Sequence, residues 1–123
     1  MTLARRIDLW LPPLLLMAVI FGLSDQPDLS SGLGLIDVIG RKLIHAAEYA
    51  LLCALWWRLL RELMPTRRAA IAAFCVSVAY AVTDEYHQSF VEGRNGTPLD
   101  VGIDALGAGA AAIAVTRAAR SRA

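Results

Sequence analysis

Aromatic residues make up only 7% of this 123-residue chain, cysteine occurs twice, and neither sign of charge predominates, the net being +1. A general nucleic-acid binder carries a strong basic excess, which is missing here. Cys53 and Cys75 stand singly inside apolar segments. They lack the paired spacing of a zinc site and read as small hydrophobic packing residues rather than as a disulfide. The chain also has no glycine-rich phosphate loop, no G-x-S-x-G elbow and no H-E-x-x-H zinc motif, so no established nucleophile or metal chemistry is indicated.

What is abundant is apolar surface. Hydrophobic residues account for 57% of the chain and the mean hydropathy is +0.52. A soluble domain of this length has too little interior to hide that much apolar area, so the expectation is an integral membrane protein with a single domain over residues 1–123. Four apolar segments are predicted as transmembrane helices, at about residues 7–23, 38–60, 69–90 and 99–115. The first follows Arg5 and Arg6 and contains Pro12-Pro13, which should kink it or mark its first regular turn. Its length, at ~1.5 Å per residue, comes to roughly 25 Å, within the range of a spanning helix. A cleaved signal peptide is the rival reading, but no A-x-A-like site follows.

Basic residues orient the bundle. Arg5, Arg6, Arg58, Arg61, Arg67, Arg68, Arg117, Arg120 and Arg122 fall on one side and Arg41, Lys42 and Arg94 on the other, nine against three. By the positive-inside rule both termini are expected in the cytoplasm. Trp10, Trp56 and Trp57 fall at the same boundary, as interfacial aromatic residues do.

With that orientation, polar residues of three helices share one depth. The densest polar stretch, from Asp84 to Arg94, follows a run from Ala69 to Val82 that has no charge at all. His45, Asp84 and Asp104 each lie roughly 8–10 Å below the outer boundary, counting ~1.5 Å per residue. Lys42, His45 and Tyr49 follow helical spacing, as do Asp84 with His87 or Gln88, and Asp100, Asp104 and Gly107. The Gly- and Ala-rich run from Ala105 to Ala114 suits close helix packing. Intramembrane charges are costly when they face lipid, so these groups are expected to turn toward one another.

These residues also carry a resemblance. Phe21-x-x-Ser24-x-Gln26-Pro27, Lys42-x-x-His45-x-x-x-Tyr49, Asp84-Glu85-x-x-Gln88 with Gly93-Arg94, and Asp100-x-x-x-Asp104-x-x-Gly107 follow in order from Phe21 to Gly109. In this the chain resembles the VanZ-like family of small membrane proteins. It departs from the family's usual pattern at Glu92, where proline is frequent, and at Asp104, where asparagine is frequent. The founding member is associated with resistance to the glycopeptide antibiotic teicoplanin. The resemblance therefore implies a multi-pass protein of the bacterial cytoplasmic membrane with a cell-envelope role.

Two functional readings follow, with a structural one beside them. In the first, an outward-facing pocket of Lys42, His45, Tyr49, Asp84, Glu85, Gln88, Arg94, Asp100 and Asp104 binds an envelope amphiphile, either a lipid phosphate or a lipid-bearing glycopeptide. Lys42 and Arg94 would supply the cations. In the second, the protein is an enzyme: His45 with Glu48 or Asp84 forms a general-base pair, with Glu85 a further catalytic candidate. A divalent cation is then the candidate cofactor, on Asp84, Glu85, Asp100 and Asp104. The third treats the polar set as glue, with Lys42–Asp84 and Arg94–Asp100 as ion pairs fixing helix order. Binding ranks slightly ahead of catalysis, and the convergence of so many ionisable groups at one depth ranks both ahead of glue. Transport ranks last, because the inner halves of the helices carry no matching polar ladder.

Overall fold

A computed structural model describes residues 1–24, 34–90 and 98–121. They form four helices: α1 (Leu3–Ser24), α2 (Leu35–Leu60), α3 (Thr66–Gln88) and α4 (Pro98–Ser121). Each is long and apolar enough to cross a membrane. The shortest spanning stretch, at 21 residues, would reach ~30 Å, about the thickness of a hydrocarbon core.

The helices run beyond the expected limits at most ends, most of all at α4, which continues past Val115 to Ser121. α3 stops earlier than expected, at Gln88, with Ser89 as its C-cap donating its N–H to the Glu85 carbonyl at 3.1 Å. Pro12 and Pro13 lie well inside α1 rather than in its first turn. Proline has no backbone N–H to donate to the carbonyl four residues back, and here the Asp8 carbonyl left over by Pro12 accepts from Arg58 Nη1 at 2.8 Å. The same guanidinium also pairs with the Asp8 carboxylate. A residue from α2 thus satisfies a backbone group that a proline in α1 orphaned.

α2 and α3 are joined by a tight turn in which Leu63 and Met64 donate their N–H groups to the Leu60 carbonyl at 2.9 and 3.0 Å. Pro65 follows in an extended conformation (φ −56°, ψ 146°) and sets the start of α3. Arg5 bonds Glu62 at 2.9 Å, tying the beginning of α1 to this turn. Among the described residues α2 and α3 each pack against the other three helices, α1 and α4 have no close backbone approach, and α2 makes the more extensive contact with both of them. α2 and α3 together therefore form the centre of the bundle, with α1 and α4 on either side.

The interior is narrow. Ile20, Tyr49, Leu52 and Cys53 from α1 and α2 meet Ala73, Ala81 and Ala108 from α3 and α4. Large apolar side chains lie mostly outside, as a bundle in lipid requires; Leu106, for instance, is 75% exposed while its neighbour Gly107 is buried. Cys53 is buried as expected, but Cys75 is exposed on the outer surface and is not a packing residue of the core; both are free thiols.

Gly107 sets the spacing between α2 and α4. A Cβ there would overlap the Ala46 backbone carbonyl, and a backbone cannot turn aside as a side chain can. Gly102, one and a half turns earlier, has open space around it. Gly107→Ala is expected to destabilise the protein by about 1–3 kcal/mol. Gly102→Ala should be neutral or stabilise it by up to ~1 kcal/mol through helix propensity. Unfolding in mild detergent, followed by circular dichroism, distinguishes the two; equal effects would remove Gly107 from its role as spacer.

Candidate functional site

The polar stripes of α2, α3 and α4 meet near the end of the bundle opposite the α2–α3 turn. α2 contributes Lys42, His45 and Tyr49, α3 contributes Asp84 and Gln88, and α4 contributes Asp100 and Asp104. Ala46, beside His45, is where Gly107 makes its close approach, and Gly107 is three residues after Asp104. The missing Cβ therefore brings Asp104 within reach of His45.

Two tiers result. Nearer the helix ends, Lys42 Nζ lies 2.9 Å from Asp100 Oδ1 in a partly buried ion pair. One turn deeper, His45, Asp84 and Asp104 converge, with one potential ligand atom from each all within 4.8 Å of one another. Asp84 is 4% exposed and Asp104 3%. Tyr49 Oη and Gln88 Nε2 both donate to Asp84 Oδ2, each at 3.3 Å, which orients that carboxylate. His45 Nδ1 and Asp104 Oδ1 face each other across 3.8 Å, too far for a hydrogen bond. Both atoms are buried without a hydrogen-bond partner among the described residues. Buried polar atoms are nearly always satisfied, and an exception calls for a reason.

The arrangement departs from the pairings expected from the sequence. Lys42 pairs with Asp100 rather than Asp84, because both occupy the tier above His45 and Asp104 on the facing sides of α2 and α4. His45 faces Asp104 at 3.8 Å and has Asp84, one of the two acids expected beside it, in the same cluster; the other, Glu48, is half-buried one turn along the same helix. Glu85 is also half-buried and follows Asp84 directly, about 100° further round α3, outside the three-residue cluster. Of the two candidates for the next position on the α3 stripe, Gln88 faces Asp84, whereas the His87 ring stacks on Phe21 with centroids 4.3 Å apart. Arg94 lies outside the described residues, as do Gln26, Pro27, Glu92 and Gly93.

Ser77 is a polar residue that the stripes overlooked. It is fully buried on α3, seven residues before Asp84 and so on the same helix face. That spacing was its only signal. A separate groove of about 570 Å³ opens between α3 and α4 toward the other end, with Phe74, Gly109 and Ala112 in its wall and Arg67 and Arg120 among its lining. None of the cluster's residues borders it.

Fold and site together define a membrane-spanning four-helix protein that encloses a histidine–dicarboxylate cluster among three of its helices. Residues 9–119 match the family model VanZ/LLP1, and the chain belongs to that family. No curated protein and no solved structure matches it.

The hydrogen bonds to Asp84 generate a stability prediction. Tyr49→Phe and Gln88→Met should each cost about 0.5–1.5 kcal/mol, the typical net value of one hydrogen bond. The double variant should cost more than the sum, because each donor compensates for loss of the other at a shared oxygen. Unfolding in detergent measures all three; strict additivity would mean that the two donors do not share Asp84.

Proposed function

We propose that this protein binds an amphiphile of the cell envelope in a pocket facing the outside of the cytoplasmic membrane, with both termini in the cytoplasm. The observation that carries the reading is the contrast between the ionisable groups at the two ends of the bundle; at the arginine-rich end the buried polar atoms without a hydrogen-bond partner among the described residues are the indole nitrogens of Trp56 and Trp57. At the arginine-rich end, charges close on one another, Arg5 on Asp8 and Glu62 and Arg58 on Asp8. At the other end His45 and Asp104 present buried polar atoms with no hydrogen-bond partner. A cluster that served only to fix helix order would be expected to satisfy its own members.

The orientation rests on the basic residues and tryptophans. Arg58, Arg61, Arg67 and Arg68 flank the α2–α3 turn, and the end of α4 adds Arg117 and Arg120. Trp10 and Trp56 meet edge to face at this end, with centroids 6.0 Å apart, and Arg61 lies over the Trp57 ring at 4.7 Å. Such aromatic and basic pairs suit the interface of the cytoplasmic leaflet. The opposite end then opens to the outer leaflet, where a lipid phosphate or a lipid-bearing glycopeptide would arrive, and binding such an antibiotic would link the protein to glycopeptide resistance. Catalysis on a lipid-linked substrate is the second reading, favoured by the same unpartnered His45 and Asp104, which suit acid–base work.

Orientation is tested by thiol labelling in intact cells. Leu35→Cys should react with an impermeant reagent added outside, and Leu63→Cys only after permeabilisation; the reverse pattern would place the pocket in the cytoplasm. For binding, native mass spectrometry of protein released from gentle detergent should show a co-purifying amphiphile that is lost from folded Asp84→Asn and Arg94→Ala. Retained affinity with lost turnover in Asp84→Asn would move the conclusion to catalysis. A folded wild type that takes up no lipid when supplied with envelope lipids would leave the cluster a packing device.

A further inference from the structure

Two carboxylates are enclosed at this depth, and among the described residues one of them, Asp104, keeps a buried oxygen that no donor reaches. Asp84 receives hydrogen bonds from two neutral donors. Asp104 has one oxygen with no hydrogen bond, 3.8 Å from an imidazole nitrogen that also has none. Lys42, the cation on the same face of α2, is held at Asp100 in the tier above. Two buried negative charges this close repel each other and are expensive away from water. They would also repel the phosphate of an anionic lipid.

We propose that His45, Asp84 and Asp104 form a binding site for one divalent metal ion, and that this ion receives the acidic headgroup of the ligand. The inference rests on the amphiphile-binding reading only in its second half; the metal site stands on geometry alone. A dication with two carboxylates and a neutral imidazole sums to zero charge, which removes the repulsion and supplies a partner for both unpartnered atoms. The mixed nitrogen and oxygen set selects Zn²⁺ or Mn²⁺ over Ca²⁺ and Mg²⁺, which favour oxygen ligands throughout.

The dimensions fit. Ligand atoms about 2.0–2.2 Å from a tetrahedral metal stand roughly 3.3–3.6 Å apart. The His45–Asp104 separation of 3.8 Å and the 4.8 Å limit on the whole set therefore close with shifts of an ångström or so. Tyr49 and Gln88 hold Asp84 from behind, as outer partners of a metal-binding carboxylate do. Three protein ligands leave coordination positions open. A phosphate or carboxylate oxygen of an amphiphile can take one, so that the metal turns an acidic pocket into an anion receptor.

The test uses the full chain in detergent, stripped with a chelator and titrated with Zn²⁺ and with Mn²⁺. Folded wild type should retain one equivalent of metal per chain after desalting, with a raised unfolding temperature. Asp104→Asn and His45→Gln should bind roughly 100-fold more weakly or worse, and Tyr49→Phe about 10-fold more weakly, as outer-partner losses do. Glu62→Gln, at the other end, should bind as wild type does. Pulsed electron paramagnetic resonance of Mn²⁺ on the wild type should show a directly coordinated nitrogen, a readout that needs no variant to fold. Loss of stoichiometric metal from folded wild type, unchanged affinity in Asp104→Asn, or no nitrogen coupling each overturns the site.

Phosphatidylglycerol retention by the same samples, before and after chelation, separates the two proposals. Lipid bound equally with and without metal removes the ion from headgroup recognition and leaves amphiphile binding in place. Stoichiometric metal with no lipid keeps the metal site and removes a lipid phosphate as its ligand.

Discussion

The structure depends on one close approach, that of α4 to α2 at Gly107 and Ala46. Helices in lipid gain little from hydrophobic association, because the tails around them are as apolar as the side chains between them. They hold together through close packing and polar contacts, and both need backbones that come near one another. Here the absent Cβ of Gly107 allows that approach, and the ion pair of Lys42 with Asp100 and the facing of His45 and Asp104 lie on the same side of the contact. Packing and polar site are thus consequences of the same residue.

The two ends of the bundle use charge differently. At the end where α1 begins and α2 finishes, the arginines lie at the margin of the apolar region and their acidic partners are accessible. Exposed pairs of this kind contribute little to stability, and their more telling role is at Asp8, where Arg58 satisfies the carbonyl that Pro12 leaves without a donor. At the other end the acids lie deeper and are enclosed by α2, α3 and α4. Burial there makes an unsatisfied polar atom consequential, because a buried polar group without a hydrogen-bond partner is costly. The two ends thus differ in how deeply their acids are buried and in how far their charges are paired within the described residues.

Much of this was legible in the chain. Four spanning helices, the stripe of Lys42, His45 and Tyr49, and the pairing of Asp100 with Asp104 along one face follow from hydropathy and from helical spacing, both of which are local properties. The VanZ-like motifs were likewise readable from order and spacing, and the family model matches over residues 9–119. Helix limits were less legible: Ser121 ends α4 where Val115 was expected, because a helix continues into the interface after its apolar residues run out. Cys75 was misplaced for a related reason. An apolar segment shows that a residue is in the membrane, while only packing shows whether it faces lipid or protein.

By itself, then, the sequence determined the number and approximate extent of the helices, and the gathering of acidic groups toward one end and of arginines toward the other. These depend on which residues are near each other along the chain. Tertiary structure decided the partners: Lys42 with Asp100, His45 with Asp104, and Tyr49 and Gln88 with Asp84. Partner choice depends on how far each helix is rotated about its axis and slid along its neighbour, and a shift of one residue would turn a side chain through about 100°. The register between α2 and α4 is set where Gly107 meets the Ala46 backbone, a contact between positions far apart in the chain that spacing along either helix cannot reveal.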